Sequence, residues 1–193
     1  MTGALVIVPG HHQRSQGAIS AAGLAEWPIN YVLARQIVEH LGPRGRLHVH
    51  SAPKGATAST ILRRSVAAIN AMHPAAVVEL HWNSVPPRNP SGQTLIHHST
   101  SFGLHWRGSK HGRALAMAAS AACARELGTR DYEPVVKANG WPMLRDTSAP
   151  SILLETHNGA NPDHHEAYLE AVQSGRLGYS LARAIRTTVA AWS

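Results

Sequence analysis

A chain of 193 residues, 44% hydrophobic and 15% charged, is long enough for one domain with its own core and lacks the low hydrophobicity and high charge of a disordered segment. Its single cysteine, Cys123, excludes an intramolecular disulfide, so packing must hold the fold, and a buried free thiol is the expected state. A net charge of +7, from 18 Lys plus Arg against 11 Asp plus Glu, favours acidic surfaces such as nucleic acid, lipopolysaccharide or other anionic envelope polymers, without choosing among them.

The N-terminus has no basic n-region, and the apolar run after it is too short for a leader or a membrane span, so a cytoplasmic start without a leader is expected. That run, residues 4–8, is closed by Pro9-Gly10 and reads as a buried strand ending in a turn, with His11 just beyond. Residues 10–25 are rich in Gly, Ser, Gln and His and read as a functional loop. Glu26 then opens a helix: Pro28 suits its first turn, Ile29, Val32, Leu33 and Ile37 follow at helical spacing, and Leu41 precedes Gly42-Pro43. A strand over 46–51 leads to a helix over about 59–72, with Ile61, Leu62, Val66 and Ile69 on one side and His73-Pro74 as its stop.

The apolar strand 76–80 delivers His81. Pro86, Pro87 and Pro90 make 83–92 a loop, and 93–98 reads as another strand. An Ala-rich helix spans Lys110 to Leu127, an irregular region covers 131–147, and the strand 152–154 delivers Glu155. Helices over 163–172 and 177–191 finish the chain. The alternation predicts a single-domain α/β fold over residues 1–193, with a mainly parallel, mixed sheet and helices on both faces.

Three strand-like runs thus end in His11, His81 and Glu155, and open α/β sheets bind their ligands at the carboxyl ends of strands. Hydrolytic zinc sites commonly use two His and one Glu plus an open fourth position, a set that His11, Glu26 and His81 supply. A separate carboxylate must shuttle the proton to the leaving amine, and Glu155 is the candidate.

The chain resembles the zinc-dependent N-acetylmuramoyl-L-alanine amidases of the bacterial cell wall, whose first strand runs into an Asp-Pro-Gly-His-Gly signature, here Val8-Pro9-Gly10-His11-His12. The family's first ligand falls on His11, its helix-opening Glu on Glu26, and its Ser-Ile-His-Ala-Asn strand end on Glu79-Leu80-His81-Trp82-Asn83. Its catalytic Glu falls on Glu155, after Leu144-Arg145 and the Pro150-led apolar run. Val8, His12, Gln13 and Trp82 depart from the pattern and bear on the shape of the groove rather than on the metal. The resemblance implies Zn2+ as cofactor, peptidoglycan as substrate and cleavage between N-acetylmuramic acid and L-alanine. The expected leaderless start, the absence of a separate wall-binding module and the basic surface together suggest a phage-type lysin, made in the cytoplasm and acting on the wall, with a monomer favoured, contact to the anionic envelope through the basic surface and no nucleic acid partner expected. Two other readings stand beside it: a related zinc amidohydrolase or peptidase acting on a small acyl-amino acid or stem peptide, and a non-catalytic basic module binding nucleic acid or anionic wall polymer.

Among 14 histidines, His12 is the nearest competitor of His11, while His97-His98 and His164-His165 read as solvated surface pairs, with His97 or His98 as possible groove residues. Glu26 alone could be an acid that favours the helix dipole. Glu79 is read as structural, facing away from the neighbours of His81. The candidate substrate contacts are Asn83, Arg145 and His157: Arg145 either binds a stem-peptide carboxylate or makes a structural salt bridge, and His157 either shares the face of Glu155 or is a loop histidine. The last helix sets Leu177, Leu181, Ile185, Val189 and Trp192 against Arg176, Arg183 and Arg186, a pattern for docking on the sheet or for meeting anionic lipid.

Overall fold

A computed structural model describes residues 3–91 and 93–192. Met1 and Thr2, at the expected leaderless start, Gly92, at the end of the expected loop, and Ser193 lie outside the described residues. Strands β1 (Ala4–Pro9), β2 (Gly45–Leu47), β3 (Pro74–Asn83), β4 (Thr100–Trp106), β5 (Arg130–Asp131), β6 (Val135–Lys137) and β7 (Ser151–Asn158) form a sheet in the order β2-β1-β3-β7-β4-β5, with β6 also paired to β4. All neighbours run parallel except β4 and β7, which are antiparallel.

The central strands β1, β3 and β7 are nearly continuous apolar runs because both their faces are covered. On one face Leu5, Ile7, Val78, Leu80, Ile152 and Leu154 pack against α1 (Glu26–Leu41), α3 (Lys110–Leu127), α5 (Pro162–Gln173) and α6 (Arg176–Ala190). On the other, Val6, Val8 and Val77 meet Val66 and Ile69 of α2 (Ala58–Asn70) and Met143 of α4 (Pro142–Arg145). Burying such side chains contributes roughly 1.5–3 kcal/mol each before entropy is counted, and the core these strands form fixes where their carboxyl ends sit.

Helix boundaries follow local chemistry. Thr57 caps α2 by accepting the Thr60 N–H at 3.2 Å, Ser109 caps α3 by accepting the Gly112 N–H at 3.0 Å, and Gly128 ends α3 in the left-handed conformation with φ 66°. Cys123 is free and fully buried. No described helix is long and apolar enough to cross a membrane.

The expected strand over 93–98 is corrected: residues Ile96–Ser99 form a 3-10 turn, and the strand lies at Thr100–Trp106. Its alternating Phe102, Leu104 and Trp106 are interleaved with Ser101, Gly103 and His105, a composition that hides a buried strand. The polar positions are accommodated by hydrogen bonds, as when the buried Ser101 hydroxyl donates to the Thr156 carbonyl at 2.6 Å. The expected strand over 46–51 shortens to Gly45–Leu47, and the region 131–147, read as irregular, contains β6 and α4.

Candidate metal centre

β1 and β3 lie side by side with Pro9 opposite Leu80, so the chain leaves β1 beside the residue that precedes His81. The Gly10 N–H donates to the Leu80 carbonyl at 2.7 Å, and His11 turns into the left-handed region with φ 65°. A non-glycine residue there is strained by about 1–3 kcal/mol, which the surrounding contacts must hold. Gly10 itself cannot be replaced cheaply: a Cβ would lie 2.3 Å from the His81 ring. The loop then folds back on α1, where Ala18 N–H donates to the Glu26 carboxylate at 3.0 Å and Glu26 N–H donates to the Ala18 carbonyl at 3.0 Å. Gly17, with φ 80°, passes so close that a Cβ would sit 2.5 Å from His11 Cδ2 and 2.6 Å from Glu26 Oε2.

These constraints bring His11, Glu26 and His81 together. Their ligating atoms all lie within 4.8 Å of one another, the one such group among the described residues. Glu26 Oε2 is 3.2 Å from His11 Nε2, and Glu26 Oε1 is 3.1 Å from His81 Nδ1 and accepts the Trp82 N–H at 3.0 Å. Donor atoms around one zinc at ~2.1 Å stand ~3.4 Å apart in a tetrahedron, so this spacing needs little change to close on a cation. The buried Glu26 therefore does more than favour a helix dipole, whose acids normally face water.

The electrostatics suit a positive guest. Burial would raise the Glu26 carboxyl, but hydrogen bonding to His11 and His81 outweighs it and holds the group at about 2. Burial would likewise lower His81, yet the carboxylates of Glu26 and Glu79 raise it to about 10. A site that holds a proton this firmly between two carboxylates offers the same field to a metal ion.

Glu155 sits opposite His81 across the β3–β7 pair and opposite Phe102 across β7–β4. It stands apart from the three-residue group, and its Oε2 is buried without a hydrogen-bond partner. Burial, reinforced by the charges of Glu26 and Glu79 and opposed by His81, raises its carboxyl to about 7. Such a value suits a group that takes and returns a proton near neutrality.

The family model for N-acetylmuramoyl-L-alanine amidase (Amidase_3) matches residues 5–187. The chain belongs to this amidase family. Among solved structures, the amidase is similar in fold to N-acetylmuramoyl-L-alanine amidase AmiC2 of Nostoc punctiforme, with 21% identity, TM-score 0.69 and coverage of 100% of this chain and 97% of that one. It is also similar to the amidase Ami1 of Mycobacterium smegmatis, with 16% identity, TM-score 0.72 and 98% of each chain covered. The catalytic domain of the CD27L endolysin targeting Clostridia difficile gives 13% identity and TM-score 0.68 over 98% of this chain and 97% of that one. No curated protein matches in a sequence search.

The amidase places the other expected residues variously. His12 lines the pocket beside His11 and His81, but its Nδ1 accepts the Arg14 N–H at 3.3 Å and it lies outside the group of three. Asn83 is half-buried and ties down the loops, its Oδ1 accepting the Ser84 N–H at 2.9 Å and its carbonyl the Gly159 N–H at 2.8 Å. Arg145, at the end of α4, pairs with Asp146 through Nη2–Oδ2 at 2.7 Å, the salt-bridge reading of that residue.

His157 is corrected: it does not share the face of Glu155. Two residues separate Glu155 from Asn158 on β7 where Trp82 alone separates their partners His81 and Asn83 on β3, so β7 carries a bulge. The extra residue carries His157 into the opposite core, fully buried, stacked on Tyr168 at 4.2 Å and 3.0 Å from His165 Nδ1. His165, 1% exposed, is therefore a core residue and not half of a surface pair. His97 and His98 are half-buried, His97 against Phe102 and His98 hydrogen-bonded with Asn158.

Glu79 faces away from Leu80 and Trp82, the neighbours of His81, as alternation predicts, and it is not remote from the centre. Residues two apart on a strand share a face, and Glu79 lines the same pocket as His81, 3.8 Å from its Nε2. Sequence reasoning missed its partner His50, 3.0 Å away, and the pocket wall contributed by Trp141 and Met143. The Glu79 signal was available in the period of two. His50 follows a short edge strand with no local pattern that marks it. This pocket, of about 240 Å³, sets Ile61, Leu62 and Leu153 against the polar residues of the centre.

Proposed function

We propose that His11, Glu26 and His81 hold a zinc ion and that Glu155 is the general base and acid of peptidoglycan amide cleavage within one catalytic domain. The observation that carries this reading is the convergence of two imidazoles on the two oxygens of one buried carboxylate, at 3.1 and 3.2 Å. A bound zinc ion supplies an electrophile for the scissile carbonyl and lowers the pKa of water. Glu26, bonded to Ala18 and Trp82 N–H groups, is held rigid and anionic. Glu155 takes the proton of the attacking water and returns it to the amine of L-alanine as that group leaves.

The biological role proposed is that of a phage-type lysin: the net charge of +7 suits an anionic envelope, and one fold neighbour is the catalytic domain of an endolysin. The family match favours an enzyme over a non-catalytic basic module. Digestion of purified peptidoglycan tests the chemistry. New L-alanine amino termini without new reducing sugars are expected, whereas cleavage within the stem peptide would redirect the assignment to an endopeptidase.

A further inference from the structure

Glu79 is an acid in an otherwise apolar strand, only 5% exposed, and packing alone does not call for it at that place. Burying a carboxylate is costly unless it is paired, and it is paired on two sides. Its Oε1 lies 3.0 Å from His50 Nε2 and 3.8 Å from His81 Nε2. His50 is itself 5% exposed and fixed at its other nitrogen, where Nδ1 is 2.8 Å from the hydroxyl of Ser65 on α2. The chain Ser65, His50, Glu79 thus ends on the ring nitrogen of His81 that points away from Glu26.

We propose that Glu79, anchored by His50, is a positioning residue that fixes His81 so that Nδ1 is the nitrogen presented to a cation. A neutral imidazole carries one N–H and one lone pair. Nδ1 faces Glu26 Oε1 at 3.1 Å and Nε2 faces Glu79 Oε1 at 3.8 Å, so a cation that takes the place of the Nδ1 proton would leave the ring's other proton on Nε2, directed at Glu79. Carboxylates that orient metal-bound histidines in this way typically change metal affinity by ~10–100-fold. The strand end that this chain resembles has Ser at the place of Glu79, so the device belongs to this chain's own residues.

The inference rests on the zinc reading, and the experiment separates the two. Zinc affinity of the full chain is measured by competition with a chromogenic chelator, and the visible spectrum of the Co2+-loaded protein reports the ligand geometry. Glu79→Gln is expected to bind zinc ~10–100-fold more weakly and to shift the Co2+ bands. His50→Leu is expected to weaken binding in the same direction, while His50→Gln, which keeps an N–H for Glu79, restores most of it. Zinc affinity within about twofold of wild type and an unchanged Co2+ spectrum in Glu79→Gln overturn the inference, whatever happens to thermal stability. Should Glu79→Gln not fold, equal affinities of His50→Leu and His50→Gln overturn it instead. A wild-type chain that does not bind zinc overturns the metal reading and this inference together.

Discussion

Glu26 stands between His11 and His81 and gives one carboxylate oxygen to each, Oε2 at 3.2 Å from His11 Nε2 and Oε1 at 3.1 Å from His81 Nδ1. The three residues come from the end of β1, the start of α1 and the end of β3, and sheet register rather than local sequence brings them together.

The proposed roles separate ligand from base. His81→Ala is expected to lose both zinc and turnover, whereas Glu155→Gln retains zinc and loses ~10²–10⁴-fold in kcat. Metal content and steady-state rates of the two purified variants check this. Equal zinc loss in both would show that Glu155 is a ligand and not a base.

The glycines of the loop give a second prediction. Gly10→Ala puts a methyl 2.3 Å from the His81 ring, and Gly17→Ala puts one 2.5 Å from the His11 ring at a φ of 80°. Both variants are expected to lose zinc, and a chelator titration measures that loss. Wild-type affinity in Gly10→Ala would mean that His81 need not hold its observed position.

How legible the site was depended on where it lies. His11, Glu26 and His81 were readable because each lies at or near the end or start of a strongly patterned element, and Glu155 because it follows the apolar run of β7, although that strand continues to Asn158; family order supplied the rest. The β4 strand was not readable, since Ser101, Gly103 and His105 obscure its alternation. Its antiparallel place beside β7 depends on long-range pairing that no local period encodes. His157 was misplaced by a single-residue bulge, which inverts every face assignment beyond it. Strand alternation put Glu79 on the face of His81, but no local pattern showed its pairing with His50.

The bulge yields its own test. His157 is fully buried against Tyr168 and Trp82, and removing its ring leaves a cavity. His157→Ala is expected to lower stability by about 2–4 kcal/mol while the zinc affinity of the folded fraction stays near wild type. Denaturant unfolding and metal titration decide this. Zinc loss without destabilisation would place His157 at the centre after all.

Acidity provides a further check. Glu155 is raised to about 7 by burial, with Glu26 and Glu79 adding to the effect and His81 opposing it. As the proposed base, Glu155 must be deprotonated, so kcat/KM is expected to rise with pH along an acid limb. A bound cation moves that limb below the metal-free value by favouring the carboxylate. A pH–rate profile on soluble peptidoglycan fragments, collected at constant zinc loading, measures it. A profile flat from about pH 4 to 8 would show that Glu155 does not carry the proton.

The central claim is that the His11, Glu26 and His81 group works as a zinc centre. The most direct measurement follows amide cleavage through complete chelation and stoichiometric return of zinc. The account predicts that release of L-alanine amino termini stops when the metal is removed and recovers when one zinc per chain is restored. Unchanged cleavage by protein shown to be free of metal would contradict it.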